Sequence, residues 1–307
     1  MATPVDRVDR YVYDQCPPYA VSWSYRLELL LLELQGYDAD VLCLQEVQKD
    51  HFDDSLRPRL QELGYDGIFG PRNTGALVCP VVGVLSVAGC ADSTIARLIE
   101  IAPDKIAQGR RPDGVAIFFR SARLELLHQK SVIYRDAAAA LPRHRDDSGE
   151  EDECDTEGHP EKVNSLVLPA QGDLRRSVMS NEGGALLALL QFVGTGAQVC
   201  CVSTHLWHEP TRPDVRCVQA ALLSKEVCRM MDRAGTGTGV LMCGDFNSDP
   251  TPGAGGGVYE LLSTGRLRVE HEDHPVAKGS TDSMADLTCT PMTSAYAQNG
   301  WVRSPGN

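Results

Sequence analysis

The sequence has no surplus of positive charge, no long unbroken apolar run and no paired-cysteine spacing, and each absence narrows what the chain can be. Lys and Arg total 29 against 42 Asp and Glu, a formal net charge of −13. No general basic field draws a duplex, so a nucleic-acid substrate would have to be gripped locally. Much of the acidity is itself local: within residues 146–162 nine acidic residues stand against one lysine. The most apolar stretch, residues 76–91, is broken by Pro80, Gly83 and Gly89 and is too short for a comfortable membrane span. The 11 cysteines are odd in number, with no Cys-x-x-Cys and no metal-finger spacing. Cys43, Cys201 and Cys243 lie inside apolar strand-like runs, where the thiol acts as a small hydrophobe. Reduced thiols and an intracellular compartment, the cytoplasm first, are the expectation. The first residues, Met-Ala-Thr-Pro-Val-Asp-Arg, have no signal-peptide or transit-peptide character. The glycine-dense stretch 253–257 lacks the Lys-Ser/Thr of a phosphate loop and reads as a flexible connector.

What is present is an alternation of periodic segments. Residues 25–34 read as a Leu/Glu-rich amphipathic helix stopped near Gly36, and residues 39–47 as a buried strand. A second helix spans 52–63 with its stop at Gly64. Strands follow at 114–120, 124–134, 185–192 and 198–206, then a helix at 217–231 and a short buried strand at 239–244. This mixed order predicts an α/β or α+β fold built as one continuous domain over 1–307. Two segments interrupt the pattern. Residues 146–162 read as a disordered acidic loop, and residues 76–103 as apolar sequence without a clear period.

Three strands end in groups that can carry chemistry. Val240-Leu241-Met242-Cys243 runs into Gly244-Asp245-Phe246-Asn247-Ser248, so Asp245 and Asn247, two apart, point to one face if the strand continues. Glu46 follows five mostly apolar residues, where a carboxylate must reach solvent, find a partner or coordinate a cation. Glu46 and Asp245 could meet across adjacent strand ends, and hard oxygen ligands of this kind favour Mg²⁺. His205 ends a third strand, beside Trp207 and Pro210, which suits a phosphate or leaving-group contact with a stacking surface nearby. His208 reads as a solvated loop histidine.

Jointly these motifs resemble a known family. "LQEV" at 44–47, "STHLW" at 203–207 and "GDFNS" at 244–248 stand in the order and spacing of the endonuclease/exonuclease/phosphatase superfamily. "YVYDQCPPYA" at 11–20 with "WSYR" at 23–26, "RPDGVAIFFR" at 111–120, "EPTRPDVRCVQ" at 209–219 and "SAYAQNG" at 294–300 are similar to its carbon-catabolite-repressor type deadenylases and their Angel, nocturnin and 2′-phosphodiesterase relatives. The resemblance implies a deoxyribonuclease I-like four-layer α/β sandwich and a Mg²⁺-dependent (or Mn²⁺-dependent) 3′-5′ exoribonuclease acting on single-stranded poly(A) 3′ ends. It makes Glu46 the metal ligand, Asp245 the group that orients or deprotonates the attacking water, Asn247 the holder of the scissile phosphate and His205 a contact to its non-bridging oxygen. Pro210 and Trp207 fall to the substrate base, while Arg26 is left between a phosphate contact and a structural salt bridge. Asp113 and Gly114 read as a turn that aims the next strand. The family also has an asparagine-bearing strand before the position of Tyr11, and Asp- and His-bearing strands after that of Tyr296. No counterpart lies within 1–307, so the chain is expected to be truncated at both ends, its sandwich incomplete, with 76–103 an insertion. A 2′,5′-phosphodiesterase, or an inactive member that binds RNA or a protein partner, remain open. No leucine-rich repeat is read within 1–307, so docking to a large assembly by that route is not expected.

Overall fold

The computed structural model describes residues 16–72, 113–141, 166, 173–180, 183–249, 256–281 and 284–295. The expected insertion at 76–103, the acidic loop at 146–162 and residues 11–15 of the first motif lie outside them.

Helix α1 (Trp23–Tyr37) buries Leu27 and Leu31, four residues apart on one face. Gly36 does not stop it. Asp38 does, by taking a left-handed φ of 49° with its N–H returned to the Gln35 carbonyl. Strand β1 (Val41–Gln48) passes directly into helix α2, which runs as Lys49–His51, a π-helical turn Phe52–Leu56, and Arg57–Glu62. The π turn lets Phe52 and Leu56 both face the core. Strands β2 (Tyr65–Pro71) and β3 (Asp113–Arg120) complete a three-stranded antiparallel sheet in the order β1-β3-β2. The second sheet has the order β4-β5-β6-β7, from β4 (Leu124–Ile133), β5 (Gly184–Phe192), β6 (Gln198–His205) and β7 (Gly239–Asp245). Its pairs are antiparallel except β6–β7, which is parallel and therefore needs a crossover. Helix α5 (Pro213–Met231) supplies it. Helices α3 (Tyr134–Ala139) and α4 (Asp173–Ser180) precede β5, and α6 (Gly257–Thr264) follows β7, with the short pair β8 (Arg266–Leu267) and β9 (Leu287–Thr288).

The period of two along β3 and β5 explains the layering. Ala116 and Phe118 pack on α1 and α2, while Val115, Ile117 and Phe119 face Leu186, Ala188 and Leu190 of the other sheet. Leu187 and Leu189, with Ala185, turn outward to the cluster formed with α5 and α6. Both faces of β3 and β5 are covered, which is why these strands read as unbroken apolar runs rather than as alternation. The result is four layers: helices, sheet, sheet, helices. Leu60 and Phe118 are wholly buried, and each such side chain contributes roughly 1.5–3 kcal/mol of transfer free energy.

Strand β7 departs from its expected burial. It is an edge strand, and Leu241 in its middle is 47% exposed. The glycine stretch differs as well: of its described members, Gly256 caps α6 and Gly257 opens it, buried against Asp273. Among the described residues no helix is long and apolar enough to cross a membrane.

Candidate active site

The end of β1 is built around an irregularity. Leu44 pairs with Ala116 and Val47 with Gly114, so Gln45 and Glu46 together face the single residue Val115. Such a bulge re-aims side chains. Gln45 turns inward and donates from Nε2 to Ser203 Oγ at 3.0 Å, and Ser203 Oγ donates to the Leu44 carbonyl at 3.3 Å. This lashes β1 of one sheet to β6 of the other. Glu46 takes a left-handed φ of 56°, a conformation that costs a non-glycine residue about 1–3 kcal/mol. It is exposed and forms no hydrogen bond or ion pair among the described residues.

His205 closes β6 and is 3% exposed. Parallel pairing sets it level with Asp245 at the end of β7, and its Nε2 lies 3.8 Å from Asp245 Oδ2. Burial, and then the charge of Arg72, push the ring's pKa down. The carboxylates of Asp245, Glu46 and Asp113 pull the other way without prevailing. His205 is therefore harder to protonate than a free imidazole. Below it Thr204 Oγ1 donates to the Gly184 carbonyl at 3.1 Å and lies 2.5 Å from the buried Tyr134 hydroxyl.

Asp245 is 53% exposed. Its Oδ1 accepts the Asn247 N–H at 2.9 Å, and Asn247 is left-handed with φ 47°. The strand therefore ends at Asp245 in an Asx turn, and Asn247 does not continue along the face of Asp245 as an extended chain would place it. Its Nδ2 donates to the Leu206 carbonyl at 2.9 Å, which leaves the second amide proton for a ligand. The expected meeting of Glu46 and Asp245 across adjacent strands is also revised. Their strands belong to different sheets, β7 beside β6 in one and β1 in the other, and the charge of each carboxylate acts on His205.

The two motif glycines have a steric reason. A Cβ on Gly244 would stand 2.2 Å from the Thr204 carbonyl oxygen, and one on Gly114 would stand 2.2 Å from that of Gly70. The first holds β6 and β7 together one residue before His205 and Asp245. The second holds β3 to β2 beside Asp113.

The expected substrate contacts are less gathered. Pro210 is exposed in the loop after β6. Trp207 is half-buried against the outer core cluster, with its backbone N–H donated to Gln219 Oε1 at 2.9 Å, and its ring meets His208 edge-on at 6.4 Å. Arg26 is exposed on α1 and forms no side-chain ion pair among the described residues, so the salt-bridge alternative is not realised there. What sequence reasoning passed over is Arg72, just past the end of β2, whose guanidinium reaches His205, while its partner Asp113, expected with Gly114 in a turn, lies instead in β3, paired with Gln48. The only signal was an arginine and an aspartate flanking the long unread segment.

Among the described residues no group of three or more His, Cys, Asp or Glu is gathered to cage a metal ion. A hydrated Mg²⁺ does not need one. It keeps most of its waters and binds through one or two carboxylates, a requirement that the unpartnered, outward-aimed Glu46 fits.

Residues 14–303 match the profile of the Endonuclease/Exonuclease/phosphatase family. The chain is 26% identical over 263 residues to the human 2′,5′-phosphodiesterase 12, covering 85% of this chain and 34% of that protein. It is 29% identical over 278 residues to the CCR4-Not complex 3′-5′-exoribonuclease subunit Ccr4 of Yarrowia lipolytica, covering 84% and 32%. Among solved structures it is similar to ANGEL2, a 2′,3′-cyclic phosphatase, in complex with adenosine-2′,3′-vanadate. The TM-score is 0.55 and the identity 26%, over 91% of this chain and 58% of that one. The chain thus spans about a third of the length of the curated relatives it matches. With two sheets packed face to face, helices outside them, and this match over nearly its whole length, the chain belongs to the endonuclease/exonuclease/phosphatase family.

Proposed function

We propose that the chain is a metal-dependent phosphodiesterase that removes nucleotides from RNA 3′ ends, poly(A) tails first, with Mg²⁺ at Glu46. The observation that carries the reading is the pairing of His205 with Asp245, level at the ends of β6 and β7 and 3.8 Å apart, with Glu46 at the end of β1 near enough for its charge to act on the ring. The two carboxylates are exposed and the histidine is buried, and that burial disfavours its protonation. A divalent cation held at Glu46 would supply Lewis-acid polarisation of a phosphoryl oxygen. Asp245, solvent-facing and fixed by the Asn247 N–H, orients a water and takes its proton. His205 donates from an uncharged ring to a non-bridging oxygen as negative charge builds there. Asn247 adds its remaining amide proton to the same phosphate. Pro210 and Trp207 flank the path of the terminal base. Cytoplasmic messenger RNA tails are the matching substrate pool.

A second reading is favoured by a specific observation, the likeness to 2′,5′-phosphodiesterase 12. The same groups would serve a 2′,5′ linkage, since the phosphate chemistry is common to both. The test is hydrolysis of oligo(A), 2′,5′-oligoadenylate and a 2′,3′-cyclic RNA end across a Mg²⁺ titration, with Asp245→Asn alongside. Metal-dependent shortening of oligo(A) by the unsubstituted chain alone is the expected result. Preferential cleavage of the 2′,5′ substrate selects the second reading. Equal inertness of both proteins on every substrate sinks the enzyme and leaves an RNA- or protein-binding member of the family.

A further inference from the structure

The mechanism above uses one nitrogen of His205, and the structure also occupies the other. Nδ1 lies 3.4 Å from Arg72 Nη1, on the opposite side of the ring from Asp245. A guanidinium has donors and no acceptor, so Nδ1 must be the lone-pair nitrogen, and the ring proton sits on Nε2, toward Asp245.

Arg72 is itself clamped. Its Nε donates to Asp113 Oδ1 at 2.9 Å and its Nη2 lies 2.9 Å from Asp113 Oδ2, a two-pronged pairing with both side chains about four-fifths buried, at 20% and 19% exposure. The backbone is tied too. Arg72 N–H donates to the Asp113 carbonyl at 3.3 Å, and the Arg72 carbonyl accepts Gly183 N–H at 3.3 Å. Gly184, the next residue, is the register partner of His205. The guanidinium is thus held from β2, β3 and the start of β5 at a fixed distance from the imidazole.

The charges around the ring show what this does. Among the described residues, Glu46 from β1, Asp113 from β3 and Asp245 from β7 act on His205, against one cation, Arg72 just past β2. Three carboxylates around an imidazole favour its protonation. An imidazolium at this place would pair with Asp245 across the present 3.8 Å and withdraw the base from its water. We propose that Arg72, clamped by Asp113, is a positioning residue that occupies Nδ1 of His205, keeps the ring uncharged, and so leaves Asp245 free to act on water. The role given to Asp245 rests on the proposed function; the state of His205 does not.

The test is a histidine NMR titration of the full chain, with His205 assigned by the signal lost in His205→Gln, in the unsubstituted protein, Arg72→Met, Arg72→Gln and Arg72→Lys. Loss of the cation is expected to raise the proton affinity of His205 about tenfold or more, one unit of pKa, in whichever uncharged variant folds. Arg72→Lys should restore most of the original behaviour. A purely structural ion pair would lower the denaturation midpoint and leave the His205 titration in place, and that result overturns the proposal. Kinetics on oligo(A) give an independent arm: the acid limb of the kcat profile should move to higher pH in the uncharged variant with KM little changed. A rise in KM with kcat intact would make Arg72 a substrate contact and also overturn the proposal. An inert unsubstituted chain would defeat the phosphodiesterase reading, while the titration would still decide the role of Arg72.

Discussion

The ends of β1 and β6 face each other across the sandwich and are built on opposite principles. At β1 the backbone is strained and the side chain is unpartnered: Glu46 is left-handed, in a bulge, exposed and without a hydrogen bond among the described residues. At β6 the backbone is a regular ladder and the side chain is surrounded. His205 is buried, with Arg72 at one nitrogen and Asp245 beyond the other. A group meant to meet something from outside is aimed by the main chain and kept free of side-chain partners. A group meant to hold one protonation state is fixed by its neighbours. Substitutions at the two ends should therefore fail differently.

The largest loss is expected at Asp245, which stands beside the β6 end. Asp245→Asn keeps the acceptor for the Asn247 N–H and removes only the base, so activity should fall by roughly 10²–10⁴-fold. Because Asp245 is about half exposed, the denaturation midpoint should barely move. Steady-state rates on the preferred substrate together with a urea melt check both halves. Next comes Glu46→Gln, which keeps the bulge and removes a charge. The Mg²⁺ concentration for half activity should rise by about tenfold or more, since even residues that only support a metal ligand are worth about 10–100-fold. An unchanged metal dependence would remove Glu46 from the metal site.

Two glycine-related changes separate stability from chemistry. Gly244→Ala puts a methyl 2.2 Å from the Thr204 carbonyl oxygen and should cost about 1–3 kcal/mol by forcing β6 and β7 apart. Activity should drop with it, because His205 and Asp245 are the next residues on those strands. Glu46→Gly does the reverse. Relief of a left-handed non-glycine residue should stabilise the fold by about 1 kcal/mol or more while abolishing the response to metal, a trade of stability against function. A Glu46→Gly protein less stable than its parent would mean the bulge stores no strain.

Much of this was legible in the sequence, for a reason particular to each residue. Glu46, His205 and Asp245 stand out because each is polar at the end of an apolar run, and a buried strand tolerates such a residue only at its mouth. The family motifs coincide with those ends. The direction of Asn247 was not legible, since a left-handed turn leaves no mark on period, and counting by twos carried the strand two residues too far. The exposure of β7 was hidden because four successive apolar residues look alike in a central strand and an edge strand; only pairing order tells them apart. Strand β2 was missed because Gly67 and Gly70 dilute its apolar content, although Gly67 leaves space that the Phe118 ring fills. With β2 went Arg72, whose meaning depends on a pairing no local pattern announces.

The smallest predicted effect tests the β6 end through pH. The pKa of His205 is depressed in the fold, first by burial and then by Arg72, so the unfolded chain binds a proton at this position more readily than the folded one. Between the folded value and the unfolded one of about 6.5, the unfolded state carries more protons, and stability falls as pH falls. Above the unfolded value the contribution is fully present. His274, buried with its Nε2 on the Ala285 carbonyl and Nδ1 accepting the Val276 N–H, is depressed in the same direction, again chiefly by burial. Two histidines therefore weaken the fold in mild acid, and His205→Gln should remove one of them. Urea melts at about pH 7.5 and about pH 5.5 should show a smaller loss of stability for the variant than for the parent, whatever its absolute midpoint. Equal losses would mean that His205 accepts its proton without penalty, and that the Arg72 side of the ring does not hold it uncharged.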